Sequence, residues 1–235
     1  MKEALILFSG GKDSFLSALK TLEKGYTINL ITFQNGMELN TKNILVGAKR
    51  IQKKFGTERV NIIGIKYTDA IWRELICEFY NYNSEYIVNH FENITISQFN
   101  CLSCRLAMYI VSIIICKQNK ISYVVDGARK CQLFAIEQPD FLTKFEMLFN
   151  ENNIKIEYPL ANENNDFIVK NEILARGFVP KMNEAQCLLG MPVTENGMSK
   201  EILGGLMTVY EKYLYPKAKD ILNRYKYADF GESYF

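Results

Sequence analysis

Short apolar runs alternate along the chain with longer stretches in which apolar residues recur every three or four positions. The short runs predict strands and the longer periodic stretches predict helices. The predicted strands span residues 4–8, 27–33, 60–65, 123–125 and 154–158. The predicted helices span residues 13–23, 40–55, 104–117, 140–150, 166–176 and 200–224. This alternation predicts an α/β fold with a parallel sheet of about five strands and helices on both faces.

The first predicted strand runs directly into a glycine-rich turn that opens a helix, and such a turn suits phosphate. Glycines let the backbone approach an anion closely, and a helix N-terminus offers free N–H groups. An adjacent carboxylate can hold Mg²⁺ bridging the phosphates. The predicted phosphate ligands are Ser9, Gly10, Gly11 and Ser14, with Asp13 at the magnesium ion. An ordinary glycine-rich connection between strand and helix is the alternative.

Two cysteines stand at Cys-x-x-Cys spacing, Cys101 and Cys104, where the pattern predicts the start of a helix. The positive end of the helix and the neighbouring Arg105 are expected to lower the pKa of both thiols. A third cysteine, Cys187, lies in a loop-like stretch downstream. Three thiolates suit an iron–sulfur cluster with one iron left open.

Other interpretations of the cysteines stay open. A structural zinc site needs four ligands, and the one histidine, His90, has no evident pairing with these thiols. Persulfide chemistry without a cluster and a purely structural role both compete. Cys131 is the main rival for any of the three ligand positions, whereas Cys77 and Cys116 fall on apolar helical positions and are most simply core residues.

The sequence Ser-Gly-Gly-Lys-Asp-Ser after an apolar strand resembles the pyrophosphate loop of the ATP pyrophosphatase (PP-loop) superfamily. Together with Cys-x-x-Cys-Arg and a lone downstream cysteine, it looks most like the iron–sulfur-dependent tRNA 2-thiocytidine synthetases. The resemblance implies a Rossmann-like, HUP-type fold that cleaves ATP between the α- and β-phosphates and attaches AMP to a substrate oxygen. It also implies a [4Fe-4S] cluster on Cys101, Cys104 and Cys187, adenine flanked by Thr32 and Phe33, and Gly127 lining the nucleotide.

These observations together predict an ATP-dependent sulfurtransferase that uses Mg²⁺ and a [4Fe-4S] cluster, with Asp13 and the three cysteines as its catalytic residues. Its expected partners are tRNA or a small-molecule acceptor and a sulfur donor, with a homodimer left open. A cluster-free amide or amine ligase and a non-catalytic nucleotide-binding protein are the alternatives. Arg129 is a phosphate contact, a helix-capping residue or a surface residue, and Asp166 is most simply a helix N-cap.

Composition sets the compartment and the domain organisation. The 235 residues are 48% hydrophobic and 23% charged, as in soluble globular proteins. No apolar segment is expected to reach the ~18 residues of a membrane span, and no secretory signal pattern is seen, so a cytoplasmic location without a membrane partner is predicted. The predicted division is a PP-loop domain over 1–190, with a variable insertion around 70–100, and a helical extension over 191–235.

A net charge of +2 neither requires nor excludes nucleic acid. Basic residues cluster in the predicted helix 40–55 and in the C-terminal region. Aromatic residues between 72 and 99 are available to stack a flipped base, although packing explains most of them more simply.

Overall fold

The computed structural model describes residues 2–82, 94, 96–132, 134–181, 183–188 and 199–231. The strands are β1 Glu3–Leu7, β2 Thr27–Gln34, β3 Glu38–Leu39, β4 Val60–Tyr67, β5 Tyr123–Val125, β6 Lys155–Glu157 and β7 Gln186–Cys187. The helices are α1 Lys12–Glu23, α2 Ile44–Phe55, α3 Asp69–Tyr82, α4 Ile96–Asn119, α5 Pro139–Asn150, α6 Asp166–Ala175, α7 Lys200–Val209 and α8 Tyr215–Arg224. A π-helical segment, Tyr210–Leu214, joins α7 to α8.

Five strands form one parallel sheet in the order β4-β2-β1-β5-β6, which confirms the predicted Rossmann-like fold. Parallel neighbours need crossover connections, and helices supply them on both faces. The chain passes outward from β1 in one direction to β2 and β4, then returns to β5 on the other side. The carboxyl ends of β1 and β5 therefore form the switch point where ligands of such sheets collect.

Alternate residues of β1 supply two separate cores. Ala4 and Ile6 pack against α1, α2 and α6 on one face of the sheet. Leu5 and Leu7 pack against the remaining helices on the other face, in a larger core. This follows from the two-residue period of a strand, since both faces of a parallel sheet are covered.

Helix α4 runs through the larger core. By length and composition, its segment Ser97–Asn119 is long and apolar enough to cross a membrane. No such segment was expected from the sequence, because polar residues interrupt the apolar positions, but they do not make the segment hydrophilic as a whole. The protein itself buries 78% of that segment's most apolar window. Burial against α3, α5 and α8 accounts for its apolar composition.

The stretch predicted as an insertion is helical where the structure describes it, in α3 and the start of α4, and residues 83–93 lie outside the described residues. Trp72 and Phe99 from this stretch are buried in the core, so neither ring is available to stack a base. Helices α7 and α8 pack on the same core through Leu206, Leu214 and Ile221. The division at residue 190 stays a prediction.

Candidate nucleotide and thiol site

The glycine-rich turn lies at the switch point between β1 and α1. Ser9 Oγ donates a hydrogen bond to Ser14 Oγ over 3.1 Å, and Ser14 Oγ also lies 3.1 Å from the carbonyl oxygen of Gly11. Among the described residues no side chain caps α1, so the first N–H groups of that helix have no side-chain partner. A Cβ at Gly127 would stand 2.7 Å from the Ser14 nitrogen, so the end of β5 closes against the turn.

A cavity of about 350 Å³ opens from this turn along the carboxyl ends of the strands. Six residues predicted to bind nucleotide or magnesium line it, namely Ser9, Asp13, Ser14, Thr32, Phe33 and Gly127. Its remaining polar wall is formed by Lys12, Glu38, Arg105, Asp126, Gln132, Glu137 and Glu184. Thr32 directs its hydroxyl to the carbonyl oxygen of Phe8 over 2.8 Å, so this side chain shapes the wall.

Asp13 has the surroundings of a cation ligand. Gln132 Nε2 donates to its Oδ2 over 2.9 Å, and Arg129 Nε lies 3.4 Å from its Oδ1. That Oδ1 is buried and accepts no hydrogen bond from the described residues. Burial raises the pKa of the carboxyl above its ordinary value, against the opposing charges of Lys12 and Arg129. A buried carboxylate oxygen without a donor fits the predicted Mg²⁺.

Arg129 belongs to the site rather than to the surface. It is 4% exposed, and its Nη2 donates to Asp166 Oδ1 over 2.5 Å. Lys12 Nζ lies 3.3 Å from the other oxygen of Asp166. The N-cap of α6 is Asn165, whose side chain accepts from the Phe167 nitrogen, so the prediction of an N-cap role for Asp166 is wrong by one residue.

The predicted environment of Cys101 and Cys104 is also wrong. Helix α4 begins at Ile96, so both thiols lie beyond its first turn, where the helix dipole has little effect. Burial raises the pKa of Cys101 to about 11 and raises that of Cys104 further, in place of the expected lowering. Arg105 does not offset this, because Asp126 Oδ2 lies 2.6 Å from its Nη1.

The structure brings the three predicted cluster ligands together. Cys187 acts electrostatically on the pKa of both Cys101 and Cys104, and Cys101 acts in the same way on the pKa of Cys104. Cys187 reaches this position because β7 pairs with β3 in an antiparallel ladder that sets it opposite Glu38. Asn35, between β2 and β3, donates its amide to Cys104 Sγ over 3.1 Å.

Within the described ranges, no three His, Cys, Asp or Glu side chains are grouped so as to hold a single metal ion. A [4Fe-4S] cluster is a different case, because its thiolates bind different irons and do not converge on one point. Three neighbouring thiols, one already held by an amide donor, fit such a cluster. Cys131 instead lies beside Arg129 and donates to the Glu163 carbonyl oxygen over 3.4 Å.

Sequence reasoning missed the charged group between the phosphate turn and the thiols. Buried Asp126 and Tyr109 form a cluster with partly buried Arg105, in which the Tyr109 hydroxyl donates to Asp126 over 2.6 Å. Glu137 faces Arg105 at 4.0 Å, and burial raises the pKa of Glu137 to about 7. The position of Asp126 at a strand end was a usable signal, whereas nothing local marked Glu137.

Comparison with known proteins gives the family and supports the fold. The family model described as "Queuosine biosynthesis protein QueC" matches residues 3–193. No curated protein sequence matches the chain. A 4-thiouridine synthetase solved in complex with RNA and bound ATP is 13% identical with a TM-score of 0.60, covering 94% of this chain and 53% of that one. The chain thus spans about half the length of that structure.

Two further solved structures have lower scores. The U34-tRNA thiolase NcsA from Methanococcus maripaludis, with its [4Fe-4S] cluster, is 16% identical with a TM-score of 0.48, covering 96% of this chain and 71% of that one. A predicted tRNA methyltransferase subunit from Methanocaldococcus jannaschii is 18% identical with a TM-score of 0.45, covering 80% of this chain and 96% of that one.

With the family model spanning the sheet, the turn and the cavity, the chain belongs to the QueC family of the PP-loop superfamily.

Proposed function

We propose that the chain uses ATP to activate a carbonyl oxygen of its substrate and then replaces that oxygen with sulfur, with tRNA as the substrate. The proposal is supported by three thiols that interact electrostatically and that adjoin, without lining it, the cavity that contains the phosphate turn. Glu38 and Arg105, which line that cavity, are respectively the strand partner of Cys187 and the chain neighbour of Cys104.

The first half of the reaction belongs to the phosphate turn. The substrate oxygen attacks the α-phosphorus, and the bond from that phosphorus to the oxygen bridging the β-phosphate breaks, so pyrophosphate leaves. Free N–H groups of α1 and the charge of Lys12 stabilise the phosphates, and Asp13 would hold Mg²⁺ against them. Arg129 fixes Asp13 through its 3.4 Å ion pair, so that this carboxylate meets the phosphates in one orientation.

The second half belongs to the thiol end of the cavity. Cys101, Cys104 and Cys187 would hold a [4Fe-4S] cluster, which supplies an open iron able to bind sulfide. Sulfur forms a bond to the activated carbon, the carbon–oxygen bond breaks, and AMP leaves with that oxygen. Asn35 orients Cys104, while Arg105, neutralised by Asp126, adds little net charge beside the thiols.

Transfer RNA is favoured as the substrate by one exposed basic surface. Lys49 and Lys53 on α2 are exposed and form no ion pair within the part of the chain that the structure describes. By contrast, Lys219 and Arg224 on α8 are paired with acidic side chains. The 4-thiouridine synthetase of similar fold was solved with RNA and ATP. Backbone phosphates would meet α2 first.

A second candidate is ATP-dependent incorporation of ammonia or an amine at the activated carbon. Burial raises the pKa of the metal-free Cys101 and Cys104 thiols, so neither is a ready nucleophile in that state, and this candidate needs no thiolate. The first half of the reaction would be the same for both candidates.

Iron content separates the two candidates. We expect anaerobically purified protein to contain about four irons per chain and to absorb in the visible region, and Cys104→Ala to lose both. Cys77→Ala is the matched control, because Cys77 lies outside the site and is exposed, which shows that the prediction of a core position for it is wrong. Iron-free anaerobic protein that releases pyrophosphate with ammonia would establish the second candidate and end the first.

Substrate identity is tested by turnover. The anaerobic protein is incubated with ATP, Mg²⁺, sodium sulfide and unfractionated tRNA, and pyrophosphate and thionucleosides are measured. We expect both products with the parent protein and neither with Asp13→Asn. Pyrophosphate without a thionucleoside would move the proposal to a small-molecule acceptor.

A further inference from the structure

Residues 183–188, which we call the strap, lie directly on the phosphate turn. The Asn183 nitrogen donates to the carbonyl oxygen of Gly10 over 3.2 Å. A Cβ built on Gly10 would stand 2.8 Å from the Asn183 carbonyl oxygen. The strap backbone therefore covers Gly10 at a distance that only a glycine tolerates.

The Glu184 carboxylate covers the second glycine. A Cβ built on Gly11 would lie 1.5 Å from Glu184 Oε1, which means that this oxygen rests against the Gly11 backbone. The carboxylate faces the positive charge of Lys12 and the negative charge of Asp13. Its place is thus the space that an anion bound by this turn would need.

The other end of the strap carries the third cysteine. Cys187 stands opposite Glu38 in the β3–β7 ladder, and the Leu188 nitrogen donates to the Met37 carbonyl oxygen over 2.7 Å. Only Ala185 and Gln186 separate Glu184 from Cys187, so a shift of the backbone at one end is carried to the other. Cys101 and Cys104 cannot follow, because α4 is fixed in the core.

We propose that Glu184 is a positioning residue that occupies the phosphate space until a triphosphate displaces it, and that this displacement moves Cys187 relative to Cys101 and Cys104. The inference rests on the proposed function and adds a sequence of events to it: nucleotide binds first, and the arrangement of the three thiols then changes. A phosphate and the Glu184 carboxylate cannot both contact the backbone of Gly11, and two anions side by side would repel each other. Only one of them can therefore occupy this position at a time.

Inorganic pyrophosphate is the probe, since it needs neither adenine nor substrate. We expect Glu184→Gln and Glu184→Ala to bind Mg²⁺-pyrophosphate roughly tenfold more tightly than the parent in calorimetry, because the competing charge is gone. Adenosine, which has no phosphate, is expected to bind all three equally. Glu201→Gln makes the same charge change on a remote exposed helix and is the matched control.

Weaker binding of Mg²⁺-pyrophosphate by both Glu184 variants, with unchanged thermal unfolding, would overturn the inference and make Glu184 a ligand of the metal. That result would leave the proposed function intact. A parent protein and variants that bind neither pyrophosphate nor ATP would instead end the proposed function as well.

Hydrogen exchange tests the movement itself. With pyrophosphate added to the parent, the amides of Asn183 and Leu188 are expected to exchange faster, because their bonds to Gly10 and Met37 open. Amides of α4 are expected to keep their rates. Unchanged or slower exchange at both strap amides would show that the Glu184 side chain alone moves, which overturns the coupling to Cys187.

Discussion

At the scale of single residues, contact across the switch point constrains the phosphate turn. Gly127 has no room for a side chain, because a Cβ would stand 2.7 Å from the Ser14 nitrogen and 2.9 Å from the Asp13 carbonyl carbon. Both neighbours are backbone atoms, which cannot move aside as the tip of a flexible side chain can. The geometry of the turn therefore depends on a residue at the end of another strand.

Gly127→Ala is expected to weaken ATP binding at least tenfold and to destabilise the fold by about 1–3 kcal/mol, because the added methyl group pushes the turn away from β5. Equilibrium binding and urea unfolding measure the two effects. Gly204→Ala, on α7 with open space around the added Cβ, is the control and is expected to gain up to about 1 kcal/mol. Equal behaviour of the two variants would contradict the close contact.

Glu137 predicts a pH dependence of stability. Asp126 and Asp13 act with burial to raise its pKa to about 7 from an ordinary 4.5, against the charges of Arg105 and Arg129. Between these values the folded state binds more protons than the unfolded state, so stability falls as pH rises. At pH values above the folded-state pKa, ionisation of this carboxyl lowers the stability of the folded state by up to about 3 kcal/mol.

Glu137→Gln is therefore expected to gain stability relative to the parent as pH rises from about 5 to about 8, by up to about 3 kcal/mol. Urea unfolding of both proteins across this range measures the difference. Glu58→Gln is the matched control, because Glu58 is exposed and lies outside the cavity. A difference between parent and Glu137→Gln that is constant with pH would show that the carboxyl titrates normally.

At the scale of elements, the strands of the sheet were predictable because each strand carries its own signal. Residues 123–125 were predicted as a strand and form β5 with those bounds, and β4 extends its predicted range by only two residues. The two-residue strands β3 and β7 were not predicted. A strand of two residues is too short to show a periodic pattern, and the pairing of β3 with β7 joins segments that are far apart in the sequence.

The start of α4 shows why the cysteine environment was mispredicted. Phe99 and Leu102 are buried upstream of Cys104, so tertiary packing extends the helix to Ile96. The phosphate turn could be predicted because its residues are consecutive. Arg129 could be named as a candidate because it follows a predicted strand end, whereas Glu137 and Glu184 could not, because each reaches the cavity through contacts that a sequence pattern does not encode.

The partly buried Arg105–Asp126 ion pair links α4 to the end of β5. Asp126→Asn would leave the guanidinium with a weaker partner, and we expect a loss of about 3 kcal/mol in the free energy of unfolding. Tyr109→Phe removes one hydrogen bond to the same carboxylate and is expected to cost about 1 kcal/mol. Urea unfolding measures both, and equal costs would show that the ion pair contributes nothing beyond hydrogen bonding.

At the scale of the whole molecule, basic charge is distributed unequally between the faces of the sheet. Free lysines lie on α2, which packs on the smaller core, whereas basic residues of α8 on the larger core are mostly paired. A polyanion should therefore approach the face of the sheet that α2 covers.

Replacing both Lys49 and Lys53 with glutamate is expected to weaken tRNA binding roughly tenfold or more and to reduce its dependence on salt. Filter binding at several salt concentrations measures both. The pair Lys212 and Lys226, exposed on the C-terminal helical segment and its end, receives the same change as a control. Equal losses from the two pairs would point to nonspecific attraction by net charge.

The burial of α4 has an evolutionary consequence. Two of the three cysteines and Arg105 belong to the helix on which the larger core is built, so selection for folding and selection for chemistry act on the same residues. The third cysteine is carried by an exposed strand of two residues. Among descendants of this chain, new chemistry would therefore arise by remodelling the segment around Cys187, with α4 inherited almost unaltered.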